Sequence, residues 1–252
     1  MRNFKSAHRI AITTGTLLSA AALWFLPCVS RADTYNAAAD FSATSNPTGA
    51  WSYGFETYSA GVPNPATFTL YDTSNPQAIT GGTLDLWESS TVGGVDPNVT
   101  HNGTANTLSC CGGNNITWSP GEMSIGPLGS PLQATVVRWT APVSGGYNIN
   151  VSFLDNQDGG DGADVYLFQN ATALYTGNAG TTVNAGVTVP TLSLNLVAGD
   201  KIDFIVGPGA DLNPTGNHTQ LLATIMSIPE PSTLALLALG VLGITWLRRR
   251  RS

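Results

Sequence analysis

The chain predicts an all-β fold, an antiparallel β-sandwich of the jelly-roll kind, set between a leader and a short apolar tail that reads as a helix. Three observations carry this expectation. Between Asp33 and Ser227 no long stretch shows helical periodicity. In its place stand short runs that alternate apolar and polar residues, each closed by Gly, Pro, Asn or Asp, which is the pattern of strands and turns. Roughly ten such runs follow one another with no helical crossovers, which favours antiparallel sheets packed face to face.

Residues 1–32 read as a secretory signal peptide. Arg2, Lys5 and Arg9 precede an uncharged run over 10–30, and Ser30-Arg31-Ala32 supplies a small-x-small cleavage site. Signal peptidase cutting after Ala32 would leave Asp33 as the mature N-terminus. Cys28 follows Phe25-Leu26-Pro27, which lacks the small residue a lipoprotein site needs.

Residues 33–226 are the sandwich ectodomain. Strands are expected at 67–72, 83–88, 115–118, 133–140, 147–154, 164–169, 173–176, 191–197, 201–207 and 220–227. Tyr147, Ile149, Val151 and Phe153 alternate with Asn148, Asn150 and Ser152, so one face of that strand is buried and the other wet. Ile202, Phe204 and Val206 repeat the rhythm. The Gly/Asn/Thr-rich segment 93–113 reads as a long surface loop.

Residues 227–252 have three parts in order: Pro229, Glu230 and Pro231, an uncharged run over 233–247, and Arg248, Arg249, Arg250 and Arg251. As a helix the run would reach about 22 Å, short of the roughly 30 Å hydrocarbon core. Arginines stay on the cytoplasmic side of a membrane, which puts the preceding domain outside. This tripartite tail resembles the PEP-CTERM sorting signal of Gram-negative bacteria. The resemblance implies recognition by an exosortase, processing near the tripeptide after transient anchoring in the inner membrane, and delivery to the cell envelope, surface or extracellular matrix. Members of that class often accompany exopolysaccharide and biofilm functions.

A second resemblance covers about 70 residues of the ectodomain. Trp139 through Val151, with Pro142, Gly145 and Tyr147, then Asp161 through Leu167, then Leu196 through Phe204 with Gly199-Asp200, looks like the strand rhythm of galactose-binding-like jelly rolls. It implies the fold and says little about a ligand.

The whole chain has 10 basic and 16 acidic residues and a formal charge of −6. Eight of the basic residues lie in the two ends, leaving Arg138 and Lys201 against fifteen acids in the ectodomain. Its charge is therefore −13, which repels nucleic acid and anionic lipid and suits divalent cations or neutral glycans. The mature part keeps two cysteines, Cys110 and Cys111, adjacent in sequence; a disulfide between them or two thiols are the alternatives.

Asp155, Asp158, Asp161 and Asp164 cluster on a glycine-rich stretch. Aspartates so spaced either supply oxygens to a structural calcium ion or bond to the backbone of a turn between strands. One copy of a Gly-Gly-x-Gly-x-Asp calcium repeat occurs at 159–164, without the second copy a solenoid needs. Trp51 and Tyr53, on a polar, Gly-rich segment, are the best candidates for stacking on a sugar ring. Only His101 and His218 lie in the ectodomain, and no Gly-x-Ser-x-Gly elbow occurs. The expectation is a non-catalytic exported component that engages extracellular polysaccharide; a structural protein without a ligand and a glycan-active hydrolase using paired carboxylates are the alternatives.

Overall fold

A computed structural model describes residues 32–229 except 60, 93–96, 114, 130 and 131, together with residues 240, 249 and 250. Residues 1–31 of the signal peptide, all of the expected tail helix but residue 240, and Glu230, Pro231, Arg248 and Arg251 lie outside the described residues. Among those described, no helix is long and apolar enough to cross a membrane. Ala32–Ile228 form one compact unit.

Fourteen strands carry its architecture: β1 Thr34–Asn36, β2 Trp51–Ser59, β3 Gly82–Glu88, β4 Asn98–His101, β5 Leu108–Cys110, β6 Ile116–Trp118, β7 Met123–Gly126, β8 Leu132–Thr140, β9 Gly145–Asp155, β10 Asp164–Gln169, β11 Thr172–Asn178, β12 Gly186–Leu196, β13 Lys201–Gly207 and β14 Thr219–Ile228. The larger sheet runs β12-β9-β14-β7-β4-β3, with β1 beside β7 on the free edge of β14. The smaller runs β11-β10-β13-β8-β2. Every pairing among these strands is antiparallel, as expected. Shorter pieces extend the edges, and β5 and β6 pair only with each other.

The inner faces meet as the alternation predicts. Tyr147, Ile149, Val151 and Phe153 of β9 are buried, while Asn148, Asn150 and Ser152 are half-buried on the far side. Ile202, Phe204 and Val206 of β13 close the core from the other sheet. The turns that enter β9 and β13 are held locally: Tyr147 Oη donates to Val143 O at 2.8 Å, and Asp200 Oδ2 accepts from Val197 N at 2.9 Å.

Three expectations change. The loop foreseen over 93–113 contains β4 and β5, whose Asn98, Val99 and Thr100 are buried; a single apolar residue in β4 gave no alternation to read. The strand foreseen over 67–72 is a 3-10 turn at Pro65–Thr67 followed by Thr69–Leu70, because Pro65 starts the turn and Asn64 caps it. The outer face of β13 is not wet: Asp203 and Ile205 are both buried, because the 64–70 segment lies across the smaller sheet. Gly54 permits that close approach, since a Cβ there would meet Thr69 O and the Phe68 ring.

Candidate functional site: a roofed cavity on the larger sheet

Strand register gathers polar side chains on the outer face of the larger sheet. Leu86 lies opposite Thr100, Thr100 opposite Ser124, and Ser124 opposite Gln220, and registered partners share a face. Asn98 and His218, each two residues along its chain from a member of this row, lie on the same side. The β5–β6 hairpin covers them, with Leu108, Ile116 and Trp118 packed on Leu84.

Between hairpin and sheet is a cavity of about 430 Å³, within the range of roughly 300–1,000 Å³ typical of small-molecule sites. Ile79, Leu84, Leu86, Ile116 and Trp118 make its apolar wall. Gln77, Asn98, Thr100, Gln157, Thr215 and His218 make its polar wall. Cys110 and Cys111, bonded to each other, form part of the rim with Pro127 and Pro214. Among the described residues, no Asp, Glu, Lys or Arg lines the cavity.

The polar wall is prearranged. Trp118 Nε1 donates to Ser124 Oγ at 2.7 Å and to Thr100 Oγ1 at 3.0 Å. Ser124 Oγ is 3.0 Å from His218 Nδ1, and His218 Nε2 is 3.2 Å from Asn98 Oδ1. A neutral imidazole protonated on Nε2 satisfies both contacts. Burial holds the ring in that state, pulling its pKa down to about 4. Gln157 Oε1 accepts from Gly216 N at 3.0 Å and His218 N at 3.3 Å, which ties the loop before β14 to the turn after β9.

The sequence-predicted residues fall elsewhere. Trp51 and Tyr53 do not present a sugar platform: they are 1% and 0% exposed, because β2 turns 51, 53 and 55 into the core. Trp51 packs beside Phe204 and Tyr53 beside Phe41. The four clustered aspartates serve different neighbours. Asp155 Oδ1 accepts from Gln157 N at 3.2 Å, and burial raises its pKa. Asp161 Oδ2 accepts from Asp211 N at 2.9 Å, and Asp164 Oδ2 accepts from Tyr58 Oη at 2.6 Å. Asp158 is exposed, and its backbone N–H reaches Asn115 O at 3.2 Å. Among the described residues no three of His, Cys, Asp or Glu gather to hold a metal ion. Gly162, at φ +85°, lies where a Cβ would meet Asn178 Oδ1 and Gly180 O, so backbone geometry alone requires that glycine.

The outer face of the smaller sheet holds a second buried polar group. Arg138 Nε and Nη2 donate to Asp203 Oδ1 and Oδ2 at 2.6 and 2.8 Å, and the guanidinium stacks on Phe68 at 3.7 Å. Glu56 is wholly buried nearby, and neither carboxyl oxygen has a hydrogen-bond partner among the described residues. Burial first, and the Asp203 charge second, push its pKa up to about 8 against the opposing pull of Arg138. Glu56 is therefore a neutral acid at pH 7.

At the chain ends, Asp33 and Ser227 are joined twice: Asp33 N donates to Ser227 Oγ at 2.7 Å, and Ser227 N to Asp33 O at 2.9 Å. The predicted mature N-terminus thus leaves the sandwich beside the strand that leads to the exposed Pro229.

Sequence reasoning did not assemble the cavity. Asn98, Trp118, Gln157 and His218 come from four separate segments, which strand register and side-chain hydrogen bonds bring together.

No curated protein matches the chain. Among solved structures, the CBM51 module from Clostridium perfringens in complex with methyl-galactose is 8% identical, with 48% of this chain and 79% of that one covered and a TM-score of 0.29. A family 35 carbohydrate binding module from Clostridium thermocellum is 11% identical, covering 48% and 88%, with a TM-score of 0.28. CBM35 from Paenibacillus barcinonensis is 10% identical, covering 62% and 99%, with a TM-score of 0.25. Residues 227–251 match the PEP-CTERM protein-sorting motif, which implies an exosortase as processing partner. The chain is a β-sandwich that carries, at its C-terminal end, the PEP-CTERM signal of proteins exported and sorted to the cell envelope.

Proposed function

We propose that the ectodomain is a non-catalytic surface component that binds a neutral glycan of the extracellular polysaccharide or biofilm matrix in the cavity beneath Trp118. The observation that carries this reading is the uncharged, two-sided lining. One wall is apolar and includes an indole; the other offers amides, hydroxyls and a neutral imidazole. A sugar ring has matching chemistry, with apolar ring faces and a rim of hydroxyls. A charged ligand would find no counter-ion among the described lining residues, and the −13 charge of the domain disfavours anionic polymers.

Acid–base cleavage of a glycosidic bond needs two carboxyl groups, and among the described residues the lining has none. The test is titration calorimetry of the exported protein with galactan, dextran and laminarin oligosaccharides, wild type against Gln77→Ala. Saturable heat that falls at least tenfold in affinity in the variant supports the reading. No heat with any of the three, at concentrations well above those of ordinary glycan binders, contradicts it.

The sorting step has its own test in the intact mass of the mature protein. A product starting at Asp33 and ending near Pro229, Glu230 or Pro231 fits signal-peptidase and exosortase processing. A product that keeps Arg248, Arg249, Arg250 and Arg251 contradicts it.

A further inference from the structure

We propose that the Cys110–Cys111 disulfide is a redox-sensitive clasp on the roof of the cavity, opened by thiol reductants. As control of ligand access, this rests on the binding role proposed above; as control of the roof, it stands independently.

The roof is a small hairpin. Its strands β5 and β6 pair through only three registers, Cys110 with Ile116, Ser109 with Thr117 and Leu108 with Trp118. A two-stranded ribbon of that length is marginal alone. Its far end is anchored, since Trp118 Nε1 donates to Thr100 and Ser124 and Asn102 Nδ2 donates to Trp118 O at 2.9 Å; nearer the turn, Ser109 N donates to Thr80 O at 3.0 Å and Asp158 N donates to Asn115 O at 3.2 Å. Packing of Leu108, Ile116 and Trp118 on Leu84 adds to these ties.

Among the described residues of the turn joining the strands, the disulfide is the covalent constraint. Gly112 and Gly113 have open space where a Cβ would be. Cys111 itself stands at φ +82°, a left-handed conformation unusual for a residue with a side chain. Bonding neighbouring cysteines closes a small ring through their shared peptide bond, and that ring holds Cys111 in this conformation. Opening the ring frees both χ torsions and removes the covalent reason for the positive φ.

The bond is placed to be reached. Cys111 is exposed and Cys110 half-buried, and both line the cavity. Disulfides persist outside the cytoplasm, and a thiol reductant that reaches the exposed Cys111 can open this one. A dithiol reductant attacks Cys111 Sγ as its thiolate. The S–S bond breaks, and Cys110 leaves as a thiolate that takes up a proton. The reductant's second thiolate then displaces Cys111, giving the protein dithiol and the reductant's own disulfide.

The experiment is hydrogen exchange by mass spectrometry on the exported protein, oxidised and after dithiothreitol, with the gain of two hydrogens confirmed by intact mass. The proposal expects amides of 108–118 to exchange roughly tenfold faster after reduction while β9 and β14 are unchanged. The Cys110→Ser/Cys111→Ser variant should show the fast pattern with or without reductant. Unchanged exchange at 108–118 after complete reduction overturns the proposal. So does an equal acceleration in the double variant when reductant is added, which would place the effect elsewhere. The same samples titrated with galactan oligosaccharides separate the two readings. If the oxidised protein binds no sugar, the glycan reading fails while the exchange result still decides the clasp. Equal affinity in both redox states overturns control of access.

Discussion

The imidazole Nε2 of His218 lies 3.2 Å from Asn98 Oδ1, a contact between residues 120 apart in sequence. With Ser124 on the other ring nitrogen, it fixes the polar wall of the cavity, where burial keeps the base neutral.

That neutrality predicts acid sensitivity. Burial lowers the His218 pKa from 6.5 to about 4. Between these values the unfolded chain binds a proton that the folded chain does not, so stability falls as pH falls through this window. Thermal melts from pH 7 to pH 4 should show a declining midpoint. In His218→Gln, destabilised at neutral pH, the decline should be shallower by about 1 kcal/mol or more. An identical slope in both proteins would place the acid sensitivity on other groups.

Glu56 predicts the opposite trend at alkaline pH. Its pKa rises from 4.5 to about 8, so the folded state keeps a proton that the unfolded state has released. That stabilising contribution is complete below pH 4.5 and is lost as pH rises through 8. Glu56→Gln, which cannot ionise, should melt higher than wild type at pH 9 by a few degrees, at about 2–4 °C per kcal/mol. At pH 5 the two should agree closely. A variant that melts lower at pH 9 would contradict a buried neutral acid.

Arg138 and Asp203 form a buried bidentate pair, and removing one partner strands the other. Arg138→Met should cost about 3–5 kcal/mol, read as a lower urea midpoint at unchanged slope. Arg138→Met with Asp203→Leu should recover a large part of that loss, because the uncompensated charge is gone. Equal losses in single and double variants would show that stacking on Phe68 matters more than charge.

The aspartate stretch predicts indifference to chelation. Asp155, Asp161 and Asp164 each accept a hydrogen bond from a different protein group. Thermal midpoints with EDTA and with added calcium should agree within a degree or so. A rise at millimolar calcium would establish an ion at this turn, since a ligand bound to the folded state alone raises its midpoint.

The parts legible in the sequence were those with local rules. Alternation in β9 and β13 marked the core face, Gly199-Asp200 marked a turn, and the tripartite tail marked the sorting signal. β4 was illegible because its Asn98 and Thr100 are polar residues buried beneath a roof, which reverses the rule that polar positions face water. Trp51 misled for the converse reason: its polar neighbours Ser52 and Glu56 are themselves buried, so the strand is covered on both sides. The cavity depends on contacts 60 to 120 residues apart, and nothing local in Asn98, Gln157 or His218 announces that they meet.

The most direct test of the central claim is calorimetric titration of the exported protein with neutral oligosaccharides, repeated on Gln77→Ala and Thr100→Val. The account predicts one saturable site per chain, weakened at least tenfold by each substitution, with thermal midpoints within a few degrees of wild type. Binding that both variants leave untouched, or no binding by the wild-type protein, would contradict it.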